Sequence, residues 1–311
     1  MSRQGYYQKP TLHQDRVVFV CEDDLWEVPA GGGRARRLTA NPGRVNDPWF
    51  SPDGRHLAFT GRDEGHTEVH LMDADGGESR RLTHLGADTV VVGWTPDGSR
   101  VLFATNHGQP FKGLRVLGKV AVEGGPVEML PWGPASSITF GPSGGVALGR
   151  YTGDPARWKR YRGGTVGQLW VDPEGSGQFR PLIETGGNVT RPLWVGQRIW
   201  FASDHEGVAN LYSCTPEGLD LQRHTHHTDF YVRHPQTDGR RIVYQCGADL
   251  YLFEDGASRK IEIDFPSPRT YTLRRFVKAS EFFEDYDLHP QGHSLVLTVR
   301  GRPFTMANWE Q

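Results

Sequence analysis

An all-β six-bladed β-propeller of four-stranded antiparallel blades, with a C-terminal half-blade extension, is the fold this sequence predicts. Three observations carry the prediction. The stretch PWFSPDGRHLAFT (48–60) returns as VGWTPDGSRVLFAT (92–105), with Asp53-Gly54 and Asp97-Gly98 in register 44 residues apart, and periods of about 40 to 45 residues belong to propellers. The 39 Gly and 21 Pro are spread along all 311 residues, which favours one large turn-rich domain over long helices. No helix-period segment of useful length competes with this pattern.

Each repeat unit reads as four short strands. The first two flank a Pro-Asp-Gly type turn, in which Pro presets φ and Gly accepts φ > 0, and the second is apolar, as in His56-Leu57-Ala58-Phe59. HQDRVVFV (13–20) is a degenerate first copy; ITFGPSGGVALG (138–149), LWVGQRIWFAS (193–203) and HPQTDGRRIVYQ (234–245) are later ones. A third strand with alternating apolar and polar residues follows in CEDDLWEVPAGG (21–32), TEVHLMDADGG (67–77), VGQLWVDPEGSG (166–177), VANLYSCTPEG (208–218) and GADLYLFEDG (247–256). The fourth reads RRLT at 36–39 and 80–83, PVEML at 126–130, FRPLI at 179–183, QRHT at 222–225 and RKIEI at 259–263. Strands of a β-sandwich need not repeat one four-part order in one phase, and so fit less well.

The domain organisation expected is a propeller over 1–265, then a linker and the first strands of a following, truncated propeller over 266–311. After DFPSPRTYTLRR, the segment DYDLHPQGHSLVLTVRGRPF puts His289-Pro290-Gln291-Gly292 at the repeat's turn and Leu295-Val296-Leu297 on its second strand. Half a blade cannot bury its apolar face alone, so the chain is expected to continue beyond Gln311. The alternative is that these strands pair with blade one and close the ring.

A formal charge of −2 argues against nucleic acid and against an anionic membrane surface. The opening MSRQGYYQKPTLHQDR lacks a secretory apolar core, and no run of about 18 apolar residues occurs, so a soluble, cytoplasmic chain is expected. Cys21, Cys214 and Cys246 are odd in number and widely spaced, and read as reduced thiols. No cofactor is implied. The tract QRHTHHTDFYVRHP (222–235) gathers His224, His226, His227 and His234 around Asp229, a composition that can flag a metal. In register with Leu38 and Leu82, however, His224 ends an outer strand, while His226, His227 and Asp229 fall between blades five and six and His234 enters the next inner strand. The tract therefore reads as a seam, with no metal.

GPSGG (Gly141–Gly145) matches the nucleophile-elbow pattern, but Ser143 sits where the repeat's turn Asp sits, without the helix the elbow requires. Asn188-Val189-Thr190 is a glycosylation pattern without a secretory route. Glu22-Asp23-Asp24 and Asp63-Glu64 lie on predicted turns, where they are expected to be solvated. No catalytic residue is expected. The best contact candidate is the blade-four insertion GRYTGDPARWKRYRGGTVG (149–167), where Arg157, Lys159, Arg160 and Arg162 interleave with Trp158 and Tyr161. Basic residues alternating with aromatics suit an acidic peptide or a single strand. The competing reading is a surface hairpin with Arg150 and its neighbours solvated and Trp158 and Tyr161 packed on the blade. The connection TNHGQPFKGLRVLGK (105–119) is a second extended segment.

DRVVFVCEDDLWEV, DPARWKRYRGGTVGQLWVD and HTHHTDFYVRHPQTDGRRIVY together resemble the N-terminal six-bladed propeller of the tricorn protease family. DLHPQGHSLVLTVRGRPF is similar to the opening of the family's second propeller. The resemblance implies a non-catalytic channel and docking module of a self-compartmentalising serine peptidase that trims oligopeptides and assembles as a hexamer. It implies as partners the second propeller, PDZ-like and catalytic domains of the same protein. One departure stands out: the loop that carries paired arginines for a substrate carboxylate in the family is here THLGADTVVVGW (83–94), which has none. A self-standing protein-binding propeller, similar to the translocation propeller of the Tol system, is the alternative.

Overall fold

The turn residues act as their chemistry dictates. Asp53 accepts from Ser51 Oγ at 2.6 Å and from the Arg55 N–H at 3.1 Å, and Asp97 does the same with Thr95 and Ser99 at 2.6 and 3.1 Å. Gly54 and Gly98 take the positive φ, 73° and 70°. In the computed structural model the described residues are 5–40, 43–62, 65–267 and 278–308. They form two compact units, Met1–Pro266 and Ser267–Gln311.

The first unit holds six four-stranded sheets, each with its strands in chain order and antiparallel. Blade one runs from Gln8–His13 through Arg16–Cys21 and Asp24–Pro29 to Arg36–Arg37. Blades two to six begin with the inner strands Arg44–Phe50, Thr89–Trp94, Ser137–Phe140, Leu193–Val195 and Val232–Thr237. Each inner strand contacts the inner strand of the next blade, and the sixth contacts the first. The core is divided accordingly into six buried clusters, one at each seam between neighbouring blades. Apolar faces on both sides of every sheet make this division necessary, because a four-stranded sheet is covered only by its neighbours.

The ring closes within this unit. Ile263–Asp264 pairs in parallel with Gly33–Arg34, Gly33 N–H donates to Glu262 O at 2.9 Å, and Ala35 N–H donates to Asp264 O at 2.8 Å. Phe265 packs at a tilt against Trp26, ring centroids 4.5 Å apart. A Cβ on Gly32 would lie 2.7 Å from Glu262 O, so the latch needs glycine there. The expected RKIEI strand is therefore split: Ala257–Lys260 completes blade six, and Ile263–Asp264 crosses to blade one. Closure by the C-terminal strands is overturned, since those strands pair with one another.

The RLT-type endings have a common use. Thr39, Thr83 and Thr225 each accept a third-strand N–H (Leu25, Val69 and Leu211) at 2.9, 2.9 and 2.8 Å. Each donates to Asp24, Glu68 or Asn210 at 2.8, 2.5 and 2.8 Å. Arg37 and Arg81 pair with the same carboxylates at 2.5 and 3.1 Å. Asp24 is thus buried and paired, against the solvated role expected of it; Asp63 and Glu64 lie outside the described residues. Thr83→Val keeps the shape but strands a buried N–H and a carboxylate oxygen, so it is expected to cost about 2 kcal/mol in a denaturation experiment.

The second unit holds three strands, Phe283–Leu288, Ser294–Val299 and Arg302–Ala307, one more than a half-blade. The extra strand is RPFTMA, which pairs fully with its predecessor. Register aligns Leu288, Leu295 and Met306, and next to them Tyr286, Leu297 and Phe304. These six side chains share one face, and Tyr286, Leu288, Phe304 and Met306 on it are exposed. Most of the preceding connection, 268–277, lies outside the described residues.

Candidate functional site

In an up-and-down sheet the first and third strands start, and the second and fourth end, at one rim. The two extended connections, between strands two and three of blades three and four, therefore emerge on the same side of neighbouring blades. They meet there. A groove of about 720 Å³ is lined by Phe111, Lys112 and Arg115 from one and by Tyr151, Arg157 and Trp158 from the other, a size typical of ligand clefts. Asp88, from the connection 83–94 that enters blade three, lies in its wall.

Of the six predicted contact residues, Arg157, Trp158 and Tyr161 line this groove. Trp158 is 63% exposed and packs on Tyr161, ring centroids 5.2 Å apart. The alternative that packed both rings on the blade is corrected for the tryptophan, which stands exposed against its loop neighbour, while Tyr161 is half-buried. Lys159 turns the other way, its Nζ 5.3 Å from the Tyr231 ring of blade six. Arg160 enters through its backbone, donating N–H to Asp204 Oδ2 at 2.6 Å. Arg162 faces a smaller cavity of about 380 Å³ beside Trp170 and Ile183. Arg150 is not solvated: its guanidinium covers the Trp170 ring at 4.1 Å.

The insertion carries no strand of its own and is held by partners that its sequence does not announce. Asn188 Nδ2 donates to Trp158 O at 2.6 Å and to Asp204 Oδ2 at 3.1 Å, and Asn188 N–H donates to Asp204 Oδ1 at 2.8 Å. Asp154 accepts from Arg233 Nε at 2.9 Å and from the Ala156 N–H at 3.1 Å. Burial raises the Asp154 carboxyl, but Arg233 and His234 win and hold it below the ordinary range. With Asp154 engaged by Arg233, the groove carries an excess of positive charge: among the described residues Lys112, Arg115 and Arg157 have no ion-pair partner, against the one carboxylate of Asp88, which lies 3.7 Å from His66 Nδ1. The loop thus offers exposed aromatic rings and unpaired cations on a tethered backbone, the composition of contact surfaces.

The histidines fall at the seam. His224 stacks on Trp200 at 4.0 Å and meets Ser213 Oγ at 2.8 Å. Arg198 Nε donates to the same oxygen at 2.7 Å, which keeps the Arg198 charge close to the His224 ring. His227 Nε2 lies 3.0 Å from Tyr244 OH, which itself donates to Ser258. Burial lowers both rings, Arg198 adding to it at His224. His226 and Asp229 are exposed. Among the described residues two serines lie within reach of a histidine, Ser203 with His205 and Ser213 with His224, but both serines are wholly buried and no substrate reaches them. Ser143 lies on a strand–turn–strand, and the three cysteines are buried with thiols pushed up by burial to about 12, 11 and 12. No helix among the described residues is long and apolar enough to cross a membrane.

Known proteins place these features. Residues 4–259 match the family described as the tricorn protease N-terminal beta propeller domain. The chain is 42% identical to the putative tricorn protease homolog 2 of Streptomyces coelicolor over 97% of its own length and 27% of that protein's. It is 35% identical to the tricorn protease of Thermoplasma acidophilum over 95% of this chain and 28% of that one. A crystal structure of the tricorn protease superposes with TM-score 0.82 at 34% identity, covering 98% of this chain and 30% of the other. TolB from Acinetobacter baumannii, at 16% identity, TM-score 0.58 and coverage of 83% and 63%, shares the fold alone. The chain spans less than a third of the length of its tricorn relatives. A ring of four-stranded blades, the family match over nearly all of it and the close superposition agree: the chain belongs to the tricorn protease N-terminal β-propeller family.

Proposed function

We propose that this chain is the non-catalytic channel and docking module of a tricorn-type self-compartmentalising serine peptidase, working in the cytoplasm on oligopeptides. The observation that carries the docking role is the groove between the two extended connections, where Arg157, Trp158 and Tyr161 face Phe111, Lys112 and Arg115. Its charge suits an acidic oligopeptide segment. Lys159, Arg160 and Arg162 flank it, as a rim that either tethers the loop or adds cations. The partners are the second propeller, PDZ-like and catalytic domains, with residues 266–311 as the linker and first strands of that second propeller, and the assembly is a homo-oligomer, a hexamer by family. The unpartnered apolar face around Leu288, Leu297 and Phe304 supports this, as do relatives named as separate tricorn-like N-terminal and C-terminal subunits in Sulfurisphaera tokodaii. The self-standing binding propeller rests on fold likeness alone.

The test is a peptidase assay on the isolated chain and on its mixture with the C-terminal remainder of a tricorn homologue. The chain alone is expected to give no turnover, and to co-elute with that remainder. Turnover that survives Ser143→Ala and replacement of each histidine would sink the proposal.

A further inference from the structure

Three inner strands share one irregularity. Lys9-Pro10, Asp47-Pro48 and His234-Pro235 each form a β-bulge against the second strand of blades one, two and six. Lys9, Asp47 and His234 have φ of 47°, 47° and 49°. Non-glycine residues stay in that region only where surrounding contacts hold them, and Pro fits a bulge because it has no ladder hydrogen to lose. Blades six, one and two are consecutive in the ring, so the three bulges sit side by side around the axis.

Contacts between blades that are not neighbours show where these segments reach. Gln236 Nε2, on blade six, donates to Pro48 O of blade two at 3.2 Å, passing blade one. Arg233 of blade six holds Asp154 of the blade-four insertion, passing blade five, and also donates to Tyr6 OH at 2.7 Å. Lys9 Nζ lies 2.9 Å from Asp47 Oδ2, and His234 Nε2 lies 3.7 Å from Asp154. Arg191, which precedes the inner strand of blade five, is three blades from Asp47. The Arg191 guanidinium lies 5.4 Å from the ring of Trp49, two residues from Asp47, so opposite sides of the propeller meet here; burial pushes the Asp47 carboxyl up, yet Lys9 and Arg191 together with His234 hold it below its ordinary value. Groups bordering an open, water-filled axis would be wet, whereas Asp47 and Gln236 keep 5% and 3% of their surface, and the side chains of Lys9, Arg233 and Asp154 keep 25%, 22% and 19% of theirs, open to water on one side only.

We propose that the Lys9–Asp47 and Arg233–Asp154 pairs, with Arg191 and His234 beside them, form an ion-pair lock that closes the axial passage of this propeller. Passage through the ring then requires the lock to break, and the groove beside it is the surface open without that step. The lock belongs to this ring alone and stands whether or not the peptidase assignment does.

The test uses the whole chain with Gln236→Cys as a reporter at the axis and the native, seam-buried Cys214 as internal reference. A small thiol reagent is expected to label the reporter as slowly as Cys214 while both pairs are intact. Asp47→Asn or Asp154→Asn is expected to accelerate the reporter at least about tenfold, a modest share of what breaking a buried pair implies, with Cys214 unchanged. Arg233→Gln breaks the second pair from its cationic side and gives an independent reading where an Asn variant folds poorly. A reporter already fast with both pairs intact, or one that none of these substitutions accelerates, overturns the lock. Acceleration of reporter and Cys214 together overturns it too, because the pairs would then staple the whole ring rather than close its centre.

Discussion

Taken from pH 7 to pH 5, the chain is expected to lose on the order of 2 kcal/mol of folding stability through His234 and the Asp154 carboxylate it faces. Burial, with Lys9 and Arg191 adding to it and the carboxylates of Asp154 and Asp47 opposing, brings this ring down to about 3. The unfolded ring titrates near 6.5. Between the two values the unfolded chain binds a proton that the folded chain refuses, so stability is full above pH 6.5 and falls as pH falls through this window. His205, His224 and His227 are lowered as well, each by burial first, and act in the same direction. The depressed carboxyls of Asp47 and Asp154 retain their contribution until pH drops below the ordinary carboxylate value, and the raised tyrosines and thiols matter only in alkali. Thermal unfolding followed between pH 5 and pH 8 checks this. His234→Gln should flatten the slope while leaving the smaller effect of the other three rings. A midpoint that is level, or that rises towards pH 5, would contradict the buried neutral ring.

Trp158→Ala is expected to weaken binding of an acidic oligopeptide by about 30-fold, or about 2 kcal/mol. The ring is largely exposed and braced by Tyr161, so its area is available without reorganising the loop, while Asn188 and Asp204 hold the backbone on either side. Its removal should leave stability within about half a kcal/mol, as for other exposed positions. Fluorescence anisotropy with a labelled glutamate-rich peptide, with a lysine-rich peptide as control, measures the change. Arg157→Ala should weaken binding less and reduce its salt dependence, because the groove keeps Lys112 and Arg115. Equal affinity of parent and Trp158→Ala would remove the groove as the contact surface.

The blade repeat was legible because turn chemistry and strand alternation are local. Asp53 and Asp97 bond within their own turns, and Thr39 and Thr83 reach back only one strand. The insertion was legible as basic and aromatic, but not in its arrangement. Nothing local to RWKRYR states that Trp158 stands out, that Lys159 leans on Tyr231, or that Phe111 and Arg115 face it across a groove. Those positions depend on Asn188, Asp204 and Arg233, which come from other blades. The Lys-Pro, Asp-Pro and His-Pro dipeptides were a signal at hand: three X-Pro pairs at matching places in inner strands mark bulges, and bulges re-aim side chains.

By itself the sequence determined the repeat, the four-strand order of each blade, the family and the reading of the histidine tract as a seam. The repeat, the strand order and the seam follow from residue type and spacing along one strand or turn, and the family from the resemblance of three longer segments. Only the tertiary structure decided how the ring closes, through Ile263–Asp264 on Gly33–Arg34, which connections share a groove, and which charges meet between blades that are not neighbours. Closing a ring brings residues more than 200 positions apart into contact, as when Arg233 reaches Tyr6, and no pattern within a repeat of about 44 residues encodes which partner waits on the far side.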